Sequence, residues 1–541
     1  MGTPFEKLFG HALAPYGLVL LIVVAAVARV LYSRLRTTTL SPPSVSGHWL
    51  FKNLKLLGAP YRGVLLAEKY KPQYGDIIQL STPFKTVVVL NSLQAVSEVL
   101  EKQSAVTSDR PRNVMLFEMC GFGETVGFRN HDELQRKYRR VMASSLHPAA
   151  ARSYSELHTA TSAFFLRDIV DRLNALSNGN HLVIEPNHSV PMAASIQDAI
   201  GRFIMRMTYG HVVVENDPLL AMVRNQAEFL LVGFSRHYWV NDLPILRHLP
   251  KWFPGAGFVR DAEYRLNQRV SNASEPFAAV LKDVSQGTVE RPSYSSRLLE
   301  QKGGANASEE DIELVKWTAQ PMFAAGSTTT VALIHSFLFN MSIRPHIAAK
   351  VQAEIDAQVG RDRLPTLKDR ESMPYTDAVL QEVIRCYPVF AFGLEHCASE
   401  DLQVRGNTIK KGTTIEANIR ALMYEPSTYP GPHTFNPDRF LKQNPDTDPR
   451  RFLFGFGRRV CPGQHVANNG AFTMCAAFMS VFNIVAGEDT MREVEKYGQD
   501  LWKMFTPYGP FEPKPFACTI SPRDQAAISI LDTCKDTEVI N

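Results

Sequence analysis

No C-x-x-C pair occurs among the seven cysteines, Cys120, Cys386, Cys397, Cys461, Cys475, Cys518 and Cys534. Their odd number and scattered placement suggest neither a disulfide framework nor a zinc site. Nor does one sign of charge dominate. Fifty-eight Lys and Arg against 54 Asp and Glu leave a formal +4 over 541 residues, too little for charge alone to indicate a nucleic-acid partner. Beyond residue 60 there is no internal repeat, no low-complexity run and no Gly/Ser/Pro-rich linker, so one large unit is expected. With 45% hydrophobic and 21% charged residues, the composition excludes a disordered chain and a multispanning membrane protein. The run Gly121-Phe122-Gly123-Glu124-Thr125-Val126-Gly127 approaches a dinucleotide fingerprint, but its third glycine comes one residue late and no strand precedes it. Dinucleotide binding by this chain itself is not expected.

The amino terminus departs from that average. Ala12 to Tyr32 is apolar apart from Arg29, and Gly17 to Ala28 carries no polar side chain, which is just long enough to span a bilayer. Arg29 lies near the end of the run, where its methylenes can follow the helix while the charge reaches the interface. Arg29, Arg34 and Arg36 outnumber the charges before the segment, so the positive-inside rule leaves everything after residue 36 in the cytosol. A cleaved signal peptide fits less well, because the run is too long and the basic residues flank its wrong end. The expected organisation is an anchor over 1–36, a Pro-containing hinge over 37–60 (Leu40-Ser41-Pro42-Pro43) and a catalytic body over 61–541. In that orientation the sequons at Asn187, Asn272, Asn306 and Asn340 stay unmodified.

Within the body, Asp76 to Leu80 and Thr86 to Leu90 read as short strands. Helical patterns dominate elsewhere. Ser308-x-x-Asp311 caps a helix toward Met341 that Pro321 should kink or break; Tyr375 to Tyr387 and the apolar Gln464 to Val485 are further helices. The fold class is mainly α with small β-sheets (α+β).

The densest chemistry lies in Phe454-Gly455-Phe456-Gly457-Arg458-Arg459-Val460-Cys461-Pro462-Gly463, just before the last of those helices. Glycines let backbone approach a flat ligand, and a cysteine ahead of a helix start has its thiolate favoured by free N–H groups and the dipole. Arg459 adds a cation for a nearby anion. Such a loop can offer one sulfur to a metal whose other ligands are not protein, and iron in a porphyrin fits.

This loop resembles the haem-binding loop of the cytochrome P450 family, F-x-x-G-x-R-x-C-x-G, matched at Phe454, Gly457, Arg459, Cys461 and Gly463. At average residue frequencies a chance match in this chain is roughly one in ten thousand. Glu382-Val383-Ile384-Arg385 resembles the family's E-x-x-R helix, and Phe435-Asn436-Pro437-Asp438-Arg439-Phe440 the segment that supplies a second arginine. Spacing alone says only that Glu382 and Arg385 share a helical face, as most surface pairs of this kind do. The resemblance makes Glu382, Arg385 and Arg439 a buried structural triad, with Arg439 adding a bidentate bond. Ala325-Gly326-Ser327-Thr328-Thr329-Thr330 is similar to the oxygen-binding segment A-G-x-[D/E]-T-[T/S]. Gly326 then opens space over the haem, Thr329 passes protons, and Thr328 stands where the family has a carboxylate.

The resemblance implies a cytochrome P450 fold and haem b with the Cys461 thiolate as axial ligand. Arg459, Arg139 and His396 would hold its propionates. Two departures bear on this: Gln135 replaces the Trp four residues before Arg139, weakening one propionate's hold, and Asn418-Ile419-Arg420-Ala421 replaces N-x-W-A. Distal-pocket positions fall at Met115 to Met119, Phe323 and Ala324, Val389 to Phe392, and Thr506 to Tyr508. They are largely apolar, which suits a lipophilic terpenoid, steroid or polyketide. Microsomal members imply an endoplasmic-reticulum membrane, an NADPH-dependent flavoprotein reductase as electron donor with cytochrome b5 as a further one, and no nucleic acid. The basic stretch Arg136 to Arg140, with Arg450, Arg451 and Arg458, is a solvated face or a dock for an acidic donor. Leu364-Pro365-Thr366 and the helix after it are similar to fungal members that tailor secondary metabolites. The expected activity is insertion of one oxygen atom from dioxygen. The alternatives are peroxide-driven, dehydrating or isomerising chemistry on the same haem, and a non-catalytic haem-binding protein.

Overall fold

The computed structural model describes residues 40–177, 182–184 and 192–534. The segment read as a membrane anchor, residues 37–39 of the hinge and the sequon at Asn187 lie outside them. The first strands form where β-branched residues cluster: β1 (Ile77–Ser81) and β2 (Thr86–Leu90), with Val87, Val88 and Val89 wholly buried. The Thr82 hydroxyl closes their turn by accepting from the Phe84 and Lys85 N–H groups. There follow α1 (Glu133–Leu146), α2 (Ser155–Ser177), β3 (Leu182–Ile184), α3 (Met192–Tyr209), α4 (Pro218–Ser235), α5 (Gly257–Gln286), α6 (Glu309–Ser342) and α7 (Pro374–Cys386). Next come β4 (His396–Cys397), β5 (Leu402–Val404), β6 (Asn407–Ile409), β7 (Thr414–Ala417), α8 (Gln464–Val481), β8 (Phe482–Ala486) and β9 (Cys518–Pro522).

Helices carry the core, and sheets edge it. One four-stranded sheet has the order β1-β2-β7-β4, with β2 and β7 parallel and the outer pairs antiparallel. A second joins β3-β9-β8, and β5-β6 is a hairpin. Among the described residues α6 is the one helix long and apolar enough to cross a membrane, and 72% of its apolar window is buried within the protein. It is a core helix. Ser308 caps its start by accepting from the Asp311 N–H, and the helix runs through Pro321 without ending. Packing against α3, and against α8 further along, outweighs the backbone bond that Pro321 removes. The apolar run after Gln464 is not one helix to Val485: α8 stops at Val481, and Phe482–Ala486 pairs antiparallel with β9. A continuous apolar run does not distinguish buried helix from buried strand.

From Leu40 the segment read as a hinge is bonded to the body. The Val45 N–H donates to the Gln79 carbonyl, the Gln79 N–H to Pro43, and the Thr408 N–H to Leu40. Pro42 and Val45 are buried.

Candidate functional site

The Cys461 loop is closed by the Cys461 N–H donating to the Phe454 carbonyl at 2.7 Å. Gly455 and Gly457 both have left-handed backbone, φ +83° and +55°, a region L side chains rarely enter. At Gly457 a Cβ would also collide with the Leu100 carbonyl oxygen. At Gly463 a Cβ would meet nothing within 4 Å, so its missing side chain faces open space. Phe454 is half-buried beside the loop. Burial pushes the Cys461 thiol up, against the Gly463 N–H, the Arg139 guanidinium and the Gln464 N–H, which all favour the thiolate. Without a metal, desolvation therefore outweighs the helix-start effect anticipated from sequence.

Around the loop stand Arg110, Arg139, Arg459 and His396. Arg459 is 8% exposed and donates to the carbonyls of Ser108 and Arg129, both at 2.6 Å, and of Val126. Arg110 donates to the carbonyls of Gly127 at 2.9 Å and of Leu394 and Glu395, and Arg139 to Val460 at 2.7 Å. His396 Nδ1 lies 2.7 Å from the Thr107 carbonyl. Among the described residues no carboxylate pairs with any of the four. Burial, with the neighbouring cations adding to it, pushes three of the four down: Arg110 to about 9, Arg459 to about 10 and His396 to about 3. Buried charges normally have counter-ions, so this cluster fits a ligand that brings carboxylates. A half-buried loop cysteine next to such a cluster, with free space at Gly463 two residues on, fits the thiolate and propionate contacts of a haem. Arg110 had no signal of its own in the sequence, since no motif surrounds it. The glycine run that approaches a dinucleotide fingerprint supplies carbonyls that hold Arg110 and Arg459 in place.

The triad is matched where that cluster is not. Glu382 and Arg385 are both 0% exposed, with Arg385 Nε and Nη2 donating to the two carboxylate oxygens at 2.8 and 2.9 Å. The bidentate partner is therefore Arg385. Arg439 reaches Glu382 with Nε alone, 3.3 and 3.2 Å from its oxygens, and donates Nη1 to Asp446 at 2.9 Å. The Asn436 N–H donates to Glu382 as well, and Met423 and Pro432 carbonyls take up Arg385 Nη1. Asp446, missed in the sequence, lies seven residues beyond Arg439, past the end of the short helical turn Pro437–Phe440 that carries it.

On α6 the Thr329 hydroxyl donates to the Ala325 carbonyl at 3.0 Å. Ala325 is exposed in mid-helix, Thr328 and Thr329 are half-buried, and Ser327 and Thr330 are buried. Ala325 and Thr329, four residues apart, thus face open space together. At Gly326, read as opening space over the haem, a Cβ would meet the tip of the Ile204 side chain of α3 at 2.8 Å. Of the anticipated pocket residues, Met115, Leu116, Phe323 and Val389 are buried. Glu118 turns outward to Arg112 and Arg247, Phe392 lies under Arg62, and Tyr508 is 51% exposed with its hydroxyl toward the Gly58 carbonyl. Arg420 stacks on Tyr424 and donates to the Cys386 carbonyl, filling core space where the family has Trp. On the outer face Arg136, Arg140 and Arg458 are exposed and have no carboxylate partner among the described residues. Arg450 is turned inward to Asp377 and Asp448, and Lys137 pairs with Glu310.

A model of the family "Cytochrome P450" matches residues 42–508, and the chain belongs to that family. Members are oxidoreductases that bind haem through a cysteine thiolate. Its relatives include the cytochrome P450 monooxygenase claR of Ampulloclitocybe clavipes, 31% identical over 91% of this chain and 88% of that protein. The monooxygenase ppsD of Aspergillus oryzae is 33% identical over 84% of each chain. A solved zebra fish cytochrome P450 structure, with progesterone, superposes at a TM-score of 0.66, covering 85% of this chain and 99% of that one at 23% identity. The protein is thus a cytochrome P450 of the monooxygenase kind, with fungal relatives.

Proposed function

We propose that this chain is a membrane-anchored monooxygenase that inserts one oxygen atom of dioxygen into a lipophilic secondary metabolite, a terpenoid, steroid or polyketide. Haem bound through a thiolate supplies the activation of dioxygen for insertion into unactivated C–H bonds. Cys461 would ligate the iron, with Phe454 and Gly463 bordering the ring. Arg110, Arg139, Arg459 and His396 would hold the propionates. One observation carries this reading: a half-buried loop cysteine beside a cluster of largely buried cations whose hydrogen bonds go to backbone carbonyls and which form no ion pair among the described residues. Thr329 Oγ1 holds a proton on the open face of α6 and would hand it toward substrate by leaving the Ala325 carbonyl. Thr328 has no ionisable group to resupply that proton, so water must do so. The exposed Arg136, Arg140 and Arg458 suit the acidic surface of an NADPH-dependent flavoprotein reductase or cytochrome b5.

Several exposed apolar side chains support residence on a membrane, for which the endoplasmic reticulum with the body in the cytosol is our reading. Trp49, Trp252 and Ile245 are 81, 80 and 73% exposed, and Trp239 and Phe84 add to them. Lys85, beside Phe84, acts electrostatically on Asp242, so the β1–β2 turn neighbours the Trp239–Asp242 turn. Aromatic side chains clustered this way suit a lipid interface. The buried Asn272 and Asn340 cannot carry glycans in the folded protein.

The absence of an acid at Thr328 favours one second reading, peroxide-driven chemistry on the same haem. The primary test is the carbon monoxide spectrum of dithionite-reduced protein, which should show the long-wavelength Soret band of thiolate ligation and lose it in Cys461→Ser. Membranes holding the protein and a reductase, given a metabolite extract under labelled dioxygen, should yield a labelled product only with NADPH. Product formed with peroxide and independent of NADPH supports the second reading instead.

A further inference from the structure

One polar group near the cation cluster has no partner. Gln135 of α1 is 0% exposed, and its Nε2 amide bonds to nothing among the described residues. Its other atom is fixed: Gln135 Oε1 lies 3.1 Å from His131 Nδ1, and His131 Nε2 lies 3.2 Å from Arg458 Nη1. A guanidinium can only donate, so His131 Nε2 accepts and the imidazole carries its proton on Nδ1. Nδ1–H then donates to Gln135 Oε1, which leaves the two Nε2 hydrogens pointing away from His131. Burial, Arg459, Arg458 and Arg136 all hold the His131 imidazole in its neutral form, against the Gln135 bond. Gln135 and Arg139 are four residues apart, hence on one face of α1, and Arg139 reaches the Cys461 loop from that face.

A buried amide without a partner is costly to the fold, and it shares a helix face with Arg139, which forms no ion pair among the described residues. We propose that Gln135 Nε2 donates to a haem carboxylate, with its amide oriented by a hydrogen-bonded chain running inward from exposed Arg458 through His131. This rests on the haem reading above. Gln135 is then a binding residue, and His131 and Arg458 are positioning residues. The substitution of Gln for the family's Trp exchanges a ring N–H for an amide N–H instead of weakening the pocket. It also ties the amide's orientation to an arginine on the outer basic face.

The test uses purified holoprotein and reads haem loss to excess apomyoglobin, with the urea midpoint of the haem-free protein as the second measurement. Gln135→Leu should lose haem about tenfold faster, while its haem-free form is at least as stable as wild type, because an unpaired amide has been removed. His131→Phe should speed haem loss by a smaller factor. Combined with Gln135→Leu it should add nothing, since both act through the same amide. Gln135→Trp should restore retention. Haem loss within about twofold of wild type in Gln135→Leu would overturn the proposal. So would an equal fall in haem-free stability, which marks a merely structural residue, or independent effects of the two substitutions. A wild-type protein without the thiolate Soret band would instead remove the haem reading on which the chain depends.

Discussion

Two groups of arginines in this molecule, Arg385 with Arg439 and Arg110 with Arg139 and Arg459, are solvated by protein in opposite ways. Arg385 and Arg439 are matched by Glu382 and Asp446. Each carboxylate is in turn held by further donors, the Asn436 N–H on Glu382 and Lys442 on Asp446. Arg110, Arg139 and Arg459 donate only to carbonyls and form no ion pair among the described residues; their charges depress one another, with Glu395 acting on Arg110 and Asp109 and Asp132 on Arg459 in the opposite sense from a distance. The first group is complete as folded. The second is complete only with an anion, so its stability is stored for the cofactor. The same residue type thus reads as scaffold or as binding site according to what neutralises it.

The largest effect expected from breaking this contrast is at the complete group. Arg385→Ala strands the Glu382 carboxylate without its bidentate partner and should cost about 4 kcal/mol. The loss should be nearly the same with and without haem, as read by urea unfolding of both forms. A loss seen only with haem would place Arg385 in the binding group. At the incomplete group the dependence reverses. Arg139 makes one carbonyl bond and acts unfavourably on Arg459. Arg139→Met should leave the haem-free protein within about 0.5 kcal/mol of wild type and lower the haem-bound form by about 2 kcal/mol. Equal destabilisation of the two forms would erase the distinction.

Acid should separate the forms by a smaller margin. Burial holds His396 near 3, with Arg110 and Arg459 adding to it, and burial alone holds His158 near 3 and His335 near 4. Each folded value lies below the usual 6.5, so the unfolded chain takes up protons first. The stability these groups contribute is full above pH 6.5 and declines as pH falls from there toward 4 and 3. A carboxylate beside His396 raises its pKa and removes its share of the decline, whereas His158 and His335 respond alike in both forms. Melting temperatures measured from pH 7.5 to 4.5 should therefore fall less steeply with haem. Parallel curves would mean that no anion reaches His396.

How far the sequence foretold this contrast depends on whether a partner is local. The Cys461 loop and the Glu382–Arg385 pair were legible because each resembles a motif that is contiguous in sequence; spacing alone gave Glu382 and Arg385 only a shared helical face. Arg110 and the unpaired Gln135 amide were not, since each acquires meaning from residues tens to hundreds of positions away, and Asp446 was not because no motif joins it to Arg439. Gly326 shows the same limit from the other side. Its small size was read as room above the haem, while the neighbour that a Cβ there would meet, the tip of Ile204, belongs to another helix. Likewise the apolar run after Gln464 changes from helix to strand at Phe482 because β9 is there to pair with it.

The smallest expected effect adds a carboxylate on the open face of α6. Thr328 adjoins Thr329, whose proton is committed to the Ala325 carbonyl in the structure, and among the described residues neither bonds a carboxylate. An aspartate at 328 could take a proton from water and pass it to the Thr329 hydroxyl, a role worth severalfold in flux. Thr328→Asp should therefore raise product formed per NADPH consumed by roughly threefold. The gain should survive in heavier substrates if it arises from proton supply. Unchanged coupling would mean that water already delivers protons to Thr329 as fast as the reaction uses them.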